Sequence, residues 1–118
     1  MAHDTKVFTF EEARRLLPQV REYTRESIER IGAAHAEIDV AQDAPDTEPE
    51  SERSFETTAA EILGEWAQRV RALGIEVKGP WLVDFDSGSG YFCWKWPEDG
   101  LEFFHGYDEG FAGRIRIQ

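Results

Sequence analysis

The sequence predicts an α+β fold, a long antiparallel helical hairpin packed on a small antiparallel β-meander of three to four strands. Three observations predict it. Apolar residues recur at three- and four-residue steps from Phe10 to about Val40 and again from Phe55 to Leu73, the period of a helix with one buried stripe. After Gly74 the period drops to two. Two four-residue linkers of turn chemistry, Ser-Gly-Ser-Gly and Pro-Glu-Asp-Gly, then separate the alternating segments, as in a meander. At 118 residues the chain has the size of one core, so a single domain over residues 1–118 is expected.

The first helix is expected over residues 10–40. Thr9 followed by Glu12 makes a capping box, in which the hydroxyl serves a first-turn N–H and the carboxylate reaches back. Pro18 inside the stripe removes one backbone hydrogen bond and predicts a kink. Glu11 with Arg15 and Glu26 with Arg30 are placed as helix-surface ion pairs. Residues 42–53 form an acidic loop: from Gln42 to Glu52 there are five acids, two prolines and no base. Such a stretch buries too little apolar surface to offset its ordering entropy. The second helix is expected over 55–73, capped by Ser54 and ended by Gly74. At a rise of about 1.5 Å per residue the helices are roughly 45 and 30 Å long, which leaves turns of the first helix uncovered. Those turns must meet the sheet, water or another chain, and a homodimer through the first helix is the expected partnership.

The meander occupies about 75–107, with a short strand around Ile75 and Val77 and better strands at 81–86, 91–96 and 101–107, followed by a C-terminal turn and tail at 108–118. Closing both linkers symmetrically predicts the register. One face carries the rows Trp81–Trp96–Leu101, Val83–Trp94–Phe103 and Phe85–Phe92–His105. The other carries Leu82–Lys95–Glu102, Asp84–Cys93–Phe104 and Asp86–Tyr91–Gly106, with Lys95 opposite Glu102. The first face packs on the helices, and ten of the fifteen aromatic residues lie between Trp81 and Phe111, which reads as core packing.

Composition excludes several function classes. Lys and Arg total 13 against 24 Asp and Glu, a net charge of −11 that disfavours nucleic acid and anionic membrane surfaces. The acidic loop supplies −5 of it, leaving −6 for the rest. No apolar run reaches the ~18 residues of a membrane span, and the N-terminus lacks a signal peptide's apolar region, so a cytoplasmic location is the expectation. With Cys93 as the only cysteine, neither an internal disulfide nor an all-cysteine zinc site is available. No nucleotide-binding, nucleophile-elbow or zincin motif is present, so no motif names the catalytic residues or a cofactor, which stay unknown at this point.

The candidate chemistry centres on His105, which ends an otherwise apolar face and is followed by Asp108, Glu109 and Arg114. His105 and Asp108 read as metal ligands or an acid/base pair, or His105 reads as a core-edge histidine donating one ring N–H to a carbonyl or carboxylate. Asp84 falls beside Cys93, where it can titrate unusually or damp the thiol; the bland alternative is a hydrogen-bonded strand residue. Arg114 pairs with Asp108 or holds a ligand carboxylate. His35 and Asp39, four apart on the first helix, have chelating spacing, but His35 reads more simply as the flank of the helical seam. Arg14, Arg21 and Arg25 share a face that would hold an anion, or join Glu11, Glu22 and Glu29 in an ion-pair lattice. Gly110 and Gly113 around Phe111 predict a tight turn with φ > 0.

These segments together resemble a known family. The opening Phe-Thr-Phe-Glu-Glu-Ala-Arg-Arg-Leu-Leu-Pro-Gln-Val is followed by Gly-Ile-Glu-Val-Lys-Gly, Leu-Val-Asp-Phe, Phe-Cys-Trp-Lys, Phe-Phe-His and Asp-Glu-Gly-Phe-Ala-Gly-Arg. In order and spacing they look like the bacterial family catalogued as domain of unknown function 2203, over nearly the whole chain outside the acidic loop. The hairpin Asp-Ser-Gly-Ser-Gly departs from it by being shorter. The resemblance implies a stand-alone bacterial protein and no established activity, substrate or cofactor. Its motifs single out Asp84, Trp94, His105, Asp108, Gly110, Phe111, Gly113 and Arg114 as site candidates. The function expected from all this is a non-enzymatic self-associating or partner-binding module. The alternative is a small-ligand- or metal-binding protein or enzyme with its site around His105, Asp108 and Arg114.

Overall fold

A computed structural model of the chain describes residues 6–42 and 50–117, with side chains described for 6–37 and 54–117. Residues 43–49, most of the expected acidic loop, lie outside the described residues. Helix α1 runs Phe10–Gln42 and α2 runs Glu50–Ala72. Five strands follow: β1 Glu76–Gly79, β2 Leu82–Asp86, β3 Tyr91–Lys95, β4 Phe103–His105 and β5 Ile115–Arg116. They pair antiparallel in the order β1-β2-β3-β4-β5, a simple meander. The α+β class and the helical hairpin match the expectation, with one strand more. The extra strand, β5, comes from the expected tail and pairs Phe103 with Arg116 and Phe104 with Ile115. Two apolar residues interleaved with arginines are too short a period-two signal to stand out in sequence.

The helix ends follow local chemistry. Thr9 N–H donates to Glu12 Oε1 at 2.8 Å and Glu12 N–H to Thr9 Oγ1 at 3.1 Å, which closes the capping box. Gly74 ends α2 with φ +87°, a left-handed conformation that glycine reaches without steric cost. The second helix begins at Glu50, so Ser54 is interior rather than a cap. Pro18 is accommodated within the continuous α1.

Val83, Phe85 and Trp94 from the sheet meet Ala13, Leu17, Val20, Trp66 and Val70 from the helices in one core. Thr24, buried in the seam, donates to Val20 O and accepts the Trp66 indole N–H, each at 2.8 Å. The first turns of α1 lie over the sheet, where the Phe10 ring stands edge-on to Phe92 at 5.6 Å. Phe8, ahead of the helix, is buried against Phe85 and was not expected in the core. Phe8 N–H donates to Asp86 O, which holds the N-terminal segment against β2.

The helix surface is an ion-pair lattice in which Arg14 and Arg25 join Glu11, Glu22 and Glu29 as expected, Arg21 turns to Asp99, and the two expected i,i+4 pairs change partners. Glu11 pairs with Arg14 rather than Arg15, while Glu26 and Arg30 reach across to Arg69 and Glu65 on α2. Arg25 binds both Glu22 and Glu29. His35 lies edge-on to Phe55 at 5.3 Å, on the seam flank; the Asp39 side chain is outside the described residues.

The β2–β3 register is the expected one, pairing Val83 with Trp94, Asp84 with Cys93 and Phe85 with Phe92. Trp81 is not part of β2. It occupies a left-handed turn position at φ 60°, and its ring packs on Trp66 with centroids 4.9 Å apart.

The β3–β4 register is shifted by one residue from the expected one: Tyr91 pairs with His105, Phe92 with Phe104 and Cys93 with Phe103. The linker explains the shift. Glu98 N–H donates to Lys95 O at 2.9 Å, so the chain turns immediately after Lys95. The Glu98 carboxylate accepts Lys95 N–H, and Glu98 O accepts the Trp94 indole N–H, locking the tight turn. Trp96 N–H still donates to Trp81 O at 3.0 Å, so the expected Trp81–Trp96 contact forms, but on the β4 side Trp96 falls in a loop one residue longer than the expected four. A one-residue shift turns every following side chain to the opposite face. Phe104 therefore joins Phe92 on the helix side, at 5.9 Å, and His105 leaves it. The expected Lys95–Glu102 pair does not form; Glu102 instead lies 3.5 Å from Arg116.

Candidate functional site

On the sheet face away from the helices, Asp84 of β2, Cys93 of β3 and His105 of β4 are all buried. One ligand-capable atom from each lies within 4.8 Å of the others. Alternation along β2 and β3 and the shifted β4 register place them there. His105 Nδ1–H donates to Gly106 O at 2.9 Å, which fixes the ring. Its Nε2 then faces Asp84 Oδ2, also at 2.9 Å. Two acceptors do not approach this closely without a positive centre between them, so the pair holds a proton shared between ring and carboxyl. The other carboxyl oxygen, Asp84 Oδ1, is buried and has no hydrogen-bond partner among the described residues.

Cys93 is pushed up to about 12 from its ordinary value, first by burial, then by the charge of Asp84 and a hydrogen bond from the thiol to that carboxylate, with Arg114 opposing. Near neutral pH the thiol keeps its proton, which makes it a poor free nucleophile. The neighbourhood expected of Asp84 and Cys93 is thus present, in the damping sense.

A cleft of about 260 Å³ opens over the pair. Tyr91, Tyr107 and Phe111 form its aromatic walls, Lys78 and Glu109 stand among its polar lining, and Asp84 and His105 lie at its floor. Tyr91 and Tyr107 meet edge-on at 5.1 Å, and Tyr91 is tilted against the His105 ring at 5.4 Å. The tyrosine hydroxyls are already engaged: Tyr107 donates to Asp86 Oδ1 at 2.6 Å and Tyr91 to Glu76 Oε1 at 3.3 Å. Both phenols are raised above their ordinary range, Tyr107 to about 12 chiefly by its bond to Asp86 and Tyr91 chiefly by burial. Lys78, in turn, is tied to Glu76 at 2.9 Å. Lys78 and Glu109 thus balance among the lining residues, and Glu76 and Asp86 behind them add negative charge around the cleft. A larger apolar cleft of about 450 Å³ between α2 and β1, lined by Leu63, Trp66, Val77 and Pro80 among others, brings together no comparable cluster.

The other candidates fall elsewhere. Asp108 is exposed on the turn after β4 and is not among the cleft's lining residues. Both nitrogens of His105 are engaged by Gly106 and Asp84. Trp94 is fully buried on the helix side of the sheet. Arg114 pairs with Glu98 at 2.8 Å instead of Asp108, and its guanidinium is sandwiched between the Phe103 and Phe111 rings, 4.0 Å from each centroid. That sandwich fixes the wall of the cleft. Gly110 has φ −101°, so the expected left-handed turn is absent there, and residues Phe111–Gly113 form a single 3₁₀ turn. Tyr91, Tyr107 and Lys78 were not foreseen as site residues, and Glu109 only as a carboxylate following His105. The expected register already put Tyr91 on the face of Asp84 and Cys93; that His105 joins them was legible only in the shifted register.

Fold and site together define an α+β protein with a helical hairpin over one face of a five-stranded meander and a buried Asp–His–Cys cluster under a small cleft on the other. The chain belongs to the family described as Uncharacterized conserved protein (DUF2203), whose family model matches residues 6–117. No curated protein and no solved structure matches it. Among the described residues no helix is long and apolar enough to cross a membrane.

Proposed function

We propose that the chain is a small-ligand-binding module whose cleft takes a compact, positively charged ligand onto the Asp84–His105 pair. The observation that carries this reading is Asp84 Oδ1: a buried carboxyl oxygen without a well-formed hydrogen bond among the described residues, at the floor of the cleft. An unpaired buried acceptor costs about 1–3 kcal/mol, which a ligand recovers by supplying a donor or a charge. The aromatic walls suit the apolar part of such a ligand and attract its charge. Benzamidinium, a flat cation with N–H donors, is a suitable first probe. Titrated in the presence of a chelator and followed by amide and histidine-ring NMR shifts, it is expected to perturb Asp84, Tyr91, His105 and Tyr107 together. Asp84→Asn, which removes the charge and keeps the shape, is expected to weaken it by about tenfold or more. Shifts scattered over the surface, or binding indifferent to Asp84→Asn, would overturn the reading.

A further inference from the structure

We infer that Asp84, Cys93 and His105 form a binding site for one zinc-class divalent ion, whose remaining coordination position opens into the cleft. This deepens the reading of the cleft as a site for a small cation and rests on it. The donor set is a carboxylate, a thiol and an imidazole, the three side-chain types that bind zinc, delivered from three neighbouring strands onto one face. A site with three protein ligands and one open position is the zinc arrangement that leaves room for water or a further ligand.

Two hydrogen-bonding facts point to an ion here independently of the residue types. His105 Nδ1–H is committed to the Gly106 carbonyl, the outer contact that turns Nε2 into the ligand atom. Nε2 meets Asp84 Oδ2 at 2.9 Å while Oδ1, on the same carboxyl, is buried and unpartnered. One proton serves the first of these contacts and cannot serve the second. A divalent ion serves both, because it accepts Nε2 and a carboxylate oxygen at once and neutralises the group as a whole. Tetrahedral zinc spaces such ligands about 3.3–3.6 Å apart. The 2.9 Å pair therefore opens and the widest separation, at most 4.8 Å, closes by shifts of about an ångström.

The binding step balances in charge and protons. Cys93 releases its S–H proton and becomes a thiolate, and the proton shared by Asp84 and His105 leaves as well. One carboxylate, one thiolate and one neutral imidazole then surround a doubly charged ion, giving a neutral buried site. Arg114, whose charge reaches the thiol, is already neutralised by Glu98.

Cobalt(II) is the probe, because a Co–thiolate bond gives a near-ultraviolet charge-transfer band and four-coordination gives intense visible bands. Untagged protein is stripped with chelator, dialysed and titrated with Co²⁺, then with Zn²⁺. The expected result is one equivalent of Co²⁺ with a thiolate band, displaced by one equivalent of Zn²⁺. Cys93 is the only cysteine in the chain, so the band identifies it without any substitution. Cys93→Ser is expected to abolish the band and weaken Zn²⁺ binding by more than about tenfold, and Asp108→Asn, on the exposed turn, to change neither. Absence of a thiolate band in the native chain overturns the inference, as does Zn²⁺ affinity unchanged in a folded Cys93→Ser variant. If benzamidinium still binds in chelator while Co²⁺ gives no band, the metal inference falls and the cleft reading stands. If neither binds, both fall.

Discussion

Replacing His105 by leucine in the chelator-treated chain isolates what the buried pair contributes to folding. His105 and Asp84 are 4% and 2% exposed, and their 2.9 Å contact is the strong hydrogen bond of the Asp84 carboxyl, with the Cys93 thiol a weaker donor beside it. His105→Leu leaves the carboxyl beneath Tyr91 and Tyr107 with only the weak thiol donor of Cys93, and removing one partner of a buried pair costs about 3–5 kcal/mol. At about 2.1 cal/mol/K per residue, 118 residues give an unfolding entropy near 0.25 kcal/mol/K, so the midpoint should fall by about 12–20 °C. Asp84→Leu leaves a neutral imidazole that still donates to Gly106 O, and should cost about 1–3 kcal/mol. The double variant removes the polar pair entirely. Replacing a buried pair by apolar side chains is often neutral, so its cost should fall at least about 2 kcal/mol short of the sum of the singles. Urea and thermal unfolding of the four chains, monitored by tryptophan fluorescence and circular dichroism, supply the cycle. A His105→Leu cost below about 1 kcal/mol, or an additive cycle, would refute the reasoning by showing that water already solvates Asp84.

Three further outcomes are expected. Thr24→Val keeps the shape but strands the Trp66 indole N–H in the helix seam; a loss of about 1–3 kcal/mol should lower the thermal midpoint by about 4–12 °C, and an unchanged midpoint would remove the bond from the account. Tyr107→Phe should delete the phenol that ionises near pH 12 in a spectrophotometric titration of the folded chain. The fold favours the protonated phenol, so its contribution is complete below the ordinary tyrosine value near 10 and is lost as pH rises through about 12; Tyr107→Phe should flatten that alkaline decline, and an unaltered profile would count against the Asp86 bond. Gly90→Ala would set a Cβ on the Phe104 ring and 2.7 Å from His105 O, so the β3–β4 pairing must open; a loss of about 1–3 kcal/mol is expected in the urea midpoint, which an alanine chain as stable as the parent would contradict.

What the residues alone settled is whatever depends on neighbours a few positions away. The helical stripes, the Thr9–Glu12 box, the Gly74 stop and the β2–β3 hairpin all arise from local period and turn chemistry. Each appears in the structure as the pattern implied. Asp84 beside Cys93 was legible for the same reason. The face taken by His105 was not, because Phe103 and Phe104 are both apolar and either can face the helices without exposing charge. That left the register to the Lys95–Glu98 turn and its side-chain locks, whose bonds depend on Trp94, Lys95 and Glu98 being positioned by the folded sheet. The tertiary structure decided the site through this single residue of shift. It withdrew the imidazole from the aromatic core and set it against a carboxylate and a thiol, beneath walls that β5 and the C-terminal turn bring back from the far end of the chain.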